Sequence, residues 1–231
     1  MKNSTINRGV IRKVARALGD LNQQVIYVGG AVVTLYVDDP AADDVRPTKD
    51  IDISLSIASF GELEEIREQM IQRGFIQSAL DSVICRFRFE DVLVDVMNTS
   101  AIGWAPANPW FLPGFQKKMQ VHVEDIVINV LPLPYFMASK FAAYHSRGNN
   151  EPRTSQDFED IVYLLDNCTN LAEVITGSEP PVSAFLKTEF NQIMIDGVKQ
   201  EAILGNLFYE TRMERYVRIL QKLKQISAVP Y

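Results

Sequence analysis

The sequence predicts an α+β fold, in which a mixed β-sheet with flanking helices is followed by an α-helical C-terminal half. Short runs with period-two alternation or β-branched residues dominate the first half of the chain. Apolar residues at helical spacing dominate the part after Pro134. The apolar fraction of 47% and the charged fraction of 23% are ordinary for a globular protein, and 231 residues suffice for one large domain or two small ones.

The first half alternates helices with strands. Helical spacing predicts a helix over residues 6–21, and residues 24–28 form a β-branched and aromatic run that ends at Gly29-Gly30. A short buried helix and an acidic loop over residues 38–49 are expected next. The remaining elements are strands at 50–56, 82–90, 92–98, 119–125 and 126–132, a capped helix at 60–73 and a long loop at 101–114.

The second half is predicted to be helical throughout. Helices are expected over residues 135–147 and 153–165, and helical periodicity continues to residue 226 with interruptions at glycine and proline. The change of pattern near Pro132 predicts an α/β domain of residues 1–131 and a helical domain of residues 132–231.

Composition narrows the function classes. A net charge of −6 argues against a sequence-independent nucleic-acid binder, which needs surplus Lys and Arg for phosphates. The chain has two cysteines and two histidines, and they lack the spacing of metal ligands, which argues against a zinc site. The N-terminus lacks the apolar core of a signal peptide, and no apolar run is long enough for a bilayer, so we expect a cytoplasmic protein.

Three carboxylates carry the main chemical signal. Asp50 and Asp52 alternate with Ile51 and Ile53, so in a strand both acids project from the same face. Two adjacent carboxylates repel each other unless a cation or proton lies between them, and Mg²⁺ prefers oxygen ligands. Asp95 stands alone in an apolar strand, where an uncompensated charge is costly. The alternative is that all three are solvated residues of amphipathic strands.

Gly29 and Gly30 lie between a predicted strand and a predicted helix. Backbone amides at such a turn can bind an anion, here a triphosphate. A glycine pair taken alone more often marks only a turn. Its value here is its order in the chain, because the strand that holds Asp50 and Asp52 follows it.

The order of YVGGAVVTLYV, RPTKDIDISLS and VLVDVM resembles the nucleotidyltransferase superfamily. Together with LPYFMASKFAAYHSR and SQDFEDIVYLL, it is similar to AbiEii/AbiGii-type toxin nucleotidyltransferases over roughly residues 20–166. The segment between Gly30 and Asp50 is longer than is usual in the superfamily. The resemblance implies a nucleotidyltransferase-like sheet and a Mg²⁺- or Mn²⁺-dependent enzyme that moves an NMP from an NTP to an acceptor such as tRNA or another macromolecule. It also implies a toxin of a toxin–antitoxin or phage-defence pair, with a cognate antitoxin protein as a candidate partner.

The resemblance assigns roles to individual residues. Asp50, Asp52 and Asp95 would be catalytic metal ligands, and Gly29 and Gly30 would hold the triphosphate. Lys140, the only charge in an apolar helix, matches a lysine that contacts nucleotide phosphates. Asp157 matches an acid that orients this lysine or helps to deprotonate an acceptor hydroxyl.

Each of these residues also has a non-functional explanation. Lys140 can be a plain surface lysine, and Asp157 can simply be an acid at a helix N-terminus. Lys49 is a candidate phosphate contact, although a solvated loop lysine is the commoner case. A basic stretch near the C-terminus offers an RNA contact or a solvated helix face; it comprises Arg212, Arg215, Arg218, Lys222 and Lys224.

Two other functions are compatible with the sequence. One is a nucleotidyltransferase that modifies a small molecule such as an antibiotic. The other is a nucleotidyltransferase-fold binding module without catalytic activity. The three acids, all present in the sequence, favour an enzyme over a binding module.

Overall fold

The computed structural model describes residues 2–48, 50–78, 81, 83–147 and 150–228. The chain divides into two compact units, Met1–Leu35 with Asp44–Pro132 and Tyr36–Asp43 with Leu133–Tyr231. The main division therefore lies one residue from the expected one. The short segment Tyr36–Asp43 differs more, because it belongs with the helical unit although it lies within the first half of the chain.

The first unit is built on a mixed β-sheet. Its strands are β1 (Val25–Val28), β2 (Asp50–Leu55), β3 (Arg86–Phe89), β4 (Val92–Asn98), β5 (Met119–Val123) and β6 (Ile126–Val130). The described strands follow the order β3-β4-β2-β1-β6-β5. The strands β2 and β4 are parallel, as are β1 and β6, whereas the other neighbours are antiparallel. The predicted α+β class is confirmed.

Local sequence explains where the helices of this unit begin and end. They are α1 (Asn3–Leu18), α2 (Phe60–Gln72) and α3 (Phe111–Phe115), with 3₁₀ helices at Gly19–Gln23 and Gly30–Leu35. The Ser59 hydroxyl accepts from the Glu62 backbone N–H at 3.2 Å, which caps α2 as predicted. The helix α3 corrects the expectation of an unbroken loop over residues 101–114.

Basic residues of α1 bind the turns of both hairpins. Lys13 Nζ lies 2.5 Å from the carboxylates of Glu90 and Asp91 in the β3–β4 turn. Arg12 lies 2.6 Å from Glu124 in the β5–β6 turn. The opposite side of α1 is buried, so this helix joins the hydrophobic core while its charges hold the turns.

The second unit is helical. Its elements are α4 (Leu133–Ser146), α5 (Gln156–Asn167), α6 (Leu171–Thr176), α7 (Pro180–Ile195), α8 (Gly197–Asn206) and α9 (Arg212–Ala228). The helix expected from residue 153 begins at Gln156, because the Ser155 hydroxyl caps it by accepting from the Phe158 N–H at 3.2 Å. No helix in the described part of the chain has the length and apolarity needed to cross a bilayer.

The segment Tyr36–Asp43 joins the helical unit through specific contacts. The Tyr36 ring stacks on Phe136 of α4, with 4.5 Å between ring centroids. The Asp38 carboxylate accepts from the Thr169 N–H at 2.6 Å, and the Asp39 N–H donates to the Asn167 carbonyl at 3.2 Å. These contacts tie the acidic loop to the end of α5.

Candidate active site

The parallel pairing of β2 with β4 brings the three predicted acids together. In this register Asp52 is the partner of Asp95, and Asp50 is the partner of Leu93. The opposite face of β2 is in the core, where Ile51 is 1% exposed and Ile53 fully buried. The acids therefore share the other face of two adjacent strands, on the side where the alternation placed them.

Gly29 lies directly against the Asp52 carboxylate. Its φ of +75° is in the left-handed region that favours glycine. A Cβ placed at Gly29 would lie 1.8 Å from Asp52 Oδ2, which leaves no room for any side chain. Gly30 is buried at the start of a six-residue 3₁₀ helix. The structure thus gives Gly29 a steric task beside Asp52, whereas triphosphate binding by Gly29 and Gly30 stays a prediction.

Arg86 of β3 pairs with Asp95 through both carboxylate oxygens. Its Nε donates to Oδ1 at 2.7 Å and its Nη2 donates to Oδ2 at 2.7 Å. The same Nη2 lies 4.0 Å from Asp50 Oδ2. This hydrogen bonding to Asp95 raises the pKa of Arg86, so the guanidinium stays charged. One cation of the protein itself therefore offsets part of the negative charge of the acids.

No role was predicted for Arg86, although its pairing with Asp95 could be inferred from the sequence. The turn Glu90-Asp91 joins β3 to β4 with two residues, and a two-residue hairpin loop fixes the register of the strands it joins. In that register Arg86 is the direct partner of Asp95. A pair of opposite charges at facing positions was therefore deducible from the predicted hairpin.

The donor chemistry of this face suits a hard divalent cation. Asp50, Asp52 and Asp95 offer carboxylate oxygens, the ligands that Mg²⁺ and Mn²⁺ accept. As the side chains stand, however, no group of three or more His, Cys, Asp or Glu among the described residues is arranged to hold a metal ion. Both oxygens of Asp95 are directed at Arg86 instead.

A second charged cluster lies inside the helical unit. Lys140 of α4 is only 5% exposed, and its Nζ lies 2.7 Å from Asp160 Oδ2 and 3.3 Å from Asp157 Oδ1. Arg147 Nη1 lies 3.3 Å from the other oxygen of Asp157. Lys140 is therefore buried in an ion-pair network, and the alternative of a plain surface lysine is wrong.

Asp160 is a partner of Lys140 for which no role was predicted. It lies three residues after Asp157 on α5, a spacing that places both acids on one helical face. The spacing alone gives the two acids a common direction, but only the packing of α4 against α5 shows that both contact Lys140. Asp157 is also in the first turn of α5, so its charge suits the helix dipole as well.

The basic C-terminal stretch is engaged within its own unit. Arg215 is 8% exposed and contacts Asp166 at 2.5 Å. Lys222 Nζ donates to the backbone carbonyls of Leu165 at 2.8 Å and Asp166 at 3.0 Å. Arg218 Nη2 lies 3.7 Å from Asp166 Oδ1, and the Arg212 guanidinium lies over the Tyr209 ring. Four of the five basic residues therefore have partners inside the helical unit, which fits neither a fully solvated face nor a continuous RNA-binding stripe. The last predicted contact, Lys49, lies outside the described residues.

Replacing Gly29 by alanine tests the packing against Asp52. We expect Gly29→Ala to destabilise the protein by about 2–5 kcal/mol, because it adds backbone strain and an atom where Asp52 lies. Gly9→Ala in α1 is the matched control, since a Cβ there meets nothing within 4 Å. That control should stabilise the helix by about 0.5–1 kcal/mol. Urea unfolding measures both, and equal effects of the two variants would contradict the packing argument.

Removing one member of the Lys140 network tests its burial. We expect Asp160→Ala to lower the free energy of unfolding by about 3 kcal/mol, since it removes the nearer of the two carboxylates that contact the buried ammonium of Lys140. Glu201→Ala is the control, because Glu201 and Arg153 form an exposed ion pair and its loss should change stability much less. Thermal and urea unfolding report both values. A small effect of Asp160→Ala would show that water reaches Lys140.

Comparisons with known proteins agree with this architecture. A solved structure described as "antigenic nucleotidyltransferase-like protein from Paracoccidioides brasiliensis" is similar to the chain, with a TM-score of 0.50 and 15% sequence identity. The match covers 85% of this chain and 91% of that chain, and at this identity it shows a common fold. No curated protein matches the sequence.

The family comparison covers both units. The sequence model of the family described as "Nucleotidyl transferase AbiEii toxin, Type IV TA system" matches residues 14–225. The match includes the strands that carry Asp50, Asp52 and Asp95 and the helices that carry Lys140 and Asp157. The chain belongs to the AbiEii nucleotidyltransferase toxin family of type IV toxin–antitoxin systems.

Proposed function

We propose that this protein is a divalent-metal-dependent nucleotidyltransferase, which moves a nucleoside monophosphate from an NTP to an acceptor and releases pyrophosphate. The observation that carries the proposal is the placement of Asp50, Asp52 and Asp95 on one face of the adjacent strands β2 and β4. Three carboxylates so placed need positive charge between them, and an oxygen-binding cation supplies it. Family membership and fold support the same reaction class.

The acids of the sheet have distinct tasks in this proposal. Asp50 and Asp52 would hold Mg²⁺ or Mn²⁺, and Asp95 would complete the ligand set. The cation would offset charge on the phosphate oxygens during transfer. Gly29 leaves space for the Asp52 carboxylate, because only a residue without a side chain fits beside it.

Lys140 of the helical unit has a proposed role in binding nucleotide phosphates. Lys140 is the phosphate contact that the family resemblance implies. Asp157 and Asp160 hold its ammonium group, so the direction of the side chain is fixed before any nucleotide binds. We assign Asp157 and Asp160 as positioning residues. Lys49 and Gly30 stay candidate phosphate contacts.

Family membership also guides the biological proposal. We infer a toxin that acts in the cytoplasm and is opposed by a cognate antitoxin, with tRNA or another macromolecule as the acceptor. One observation favours a second candidate, a small acceptor molecule such as an antibiotic. The basic side chains of Arg215 and Lys222 are engaged with Asp166 and backbone carbonyls, which reduces the positive surface that α9 offers to RNA.

Transfer of label from nucleotides tests the proposal directly. The purified protein is incubated with each α-³²P-labelled NTP, Mg²⁺ or Mn²⁺, and total RNA, cell protein or a panel of aminoglycosides. We expect label on one acceptor class and its loss by at least about a hundredfold in Asp50→Asn/Asp52→Asn, since the variant lacks the groups that hold the cation.

The control variant is Glu65→Gln/Glu68→Gln, which removes the same number of charges from exposed positions of α2. It should retain labelling. Label on an aminoglycoside alone would favour the small-acceptor enzyme. Nucleotide binding without transfer to any acceptor would overturn the proposed reaction and leave a binding module.

A further inference from the structure

We propose that Arg86 is a built-in counter-ion that competes with the divalent cation for Asp95, and thereby sets how tightly this site binds metal. The inference rests on the proposed function, because it concerns the same carboxylates. It begins from the two hydrogen bonds of 2.7 Å that direct both oxygens of Asp95 at the Arg86 guanidinium. Such a paired geometry is the strongest form of a carboxylate–arginine contact.

The position of Arg86 is fixed by the strand pairing and is not an accident of one flexible side chain. Arg86 and Asp95 are direct partners in the antiparallel pair β3–β4. Side chains at facing positions of such a pair project from the same face of the sheet. The two-residue turn between the strands allows little change of this register. Any state with this hairpin intact keeps Arg86 opposite Asp95 on one face of the sheet, so the guanidinium stays within reach of this carboxylate even when it is not bound to it.

The guanidinium also reaches across β4 toward β2. The strand order places β4 between β3 and β2, and Arg86 Nη2 lies 4.0 Å from Asp50 Oδ2. One positive charge therefore lies among the carboxylates that would ligate the metal. A divalent cation bound there would repel the guanidinium and would need oxygens that Arg86 now engages. In the proposed competition, the cation therefore displaces Arg86 from Asp95.

Release is sterically possible because the pair is not sealed in the core. The Arg86 side chain is 21% exposed and that of Asp95 is 14% exposed. The next residue on the same face of β3, Arg88, is held separately by Asp81 at 2.5 Å and 3.0 Å. Arg88 thus offers a control with the same charge, strand and face, but with a different partner.

An alternative role for Arg86 gives the opposite sign. If Arg86 only orients Asp95, the cation would use the remaining lone pairs of that carboxylate. Removing the guanidinium would then weaken metal binding, because Asp95 would lose its support. If Arg86 competes, removal strengthens metal binding. The sign of the change therefore distinguishes competition from orientation.

The test measures Mn²⁺ binding to the full chain by calorimetry and by the loss of the free Mn²⁺ paramagnetic resonance signal. We expect Arg86→Met to bind Mn²⁺ about tenfold or more tightly than the unmodified protein, because a repelling charge and a competing hydrogen-bond donor are gone. Arg86→Lys, which keeps the charge but loses the paired donors, should lie in between. Arg88→Met should stay within about twofold of the unmodified protein.

Thermal unfolding gives a second readout that does not depend on activity. Without metal, Arg86→Met should unfold at a lower temperature than the unmodified protein, because the carboxylates lose their counter-ion. Added Mn²⁺ should raise its unfolding temperature more than that of the unmodified protein. If Arg86→Met does not fold, Arg86→Lys carries the same comparison with a smaller expected change.

The outcomes separate this inference from the proposed function. Unchanged or weaker Mn²⁺ binding in Arg86→Met, with binding that still requires Asp50 and Asp52, would overturn the competition and leave the metal site intact. Mn²⁺ binding that persists in Asp50→Asn/Asp52→Asn would overturn both the metal site and the competition. Tighter binding that appears in Arg86→Met and disappears when Asp50 and Asp52 are also replaced would support the competition.

Discussion

The parallel pairing of β2 with β4 is the interaction on which the candidate site depends. It joins two strands that are separated in the chain by α2 and β3, and it places Asp52 opposite Asp95. The same register buries Ile51 and Val94 on the other face of the sheet. A slip of one residue would turn one set of side chains to the wrong face, so core burial and site geometry are secured together.

Each unit contains a cluster in which acidic and basic side chains compensate each other's charge. In the sheet unit, Arg86 engages Asp95 with both donors. In the helical unit, Lys140 is buried against Asp160 and Asp157. Charges removed from water persist only when they are paired, and each of these pairs also holds its side chains in one direction. The family match over residues 14–225 covers both clusters.

Much of the fold and part of the candidate site could be predicted from the sequence. The alternation around Asp50 and Asp52, the cap at Ser59 and both hairpins depend on residues close together in the chain. Local patterns of this kind report which face of an element is buried and where the element ends. Even the Arg86–Asp95 pair follows from a short turn, although it requires the register to be counted across that turn.

The sequence by itself determined the α+β class, the elements and the faces that carry the acids, because these follow from the period of polar and apolar residues. Only the tertiary structure decided that β2 neighbours β4, that Asp160 meets Lys140, and that Tyr36–Asp43 belongs with the helical unit. Alternation reports the orientation of one element but does not name its neighbour. That choice depends on the combined burial of segments far apart in the chain, which no local pattern contains.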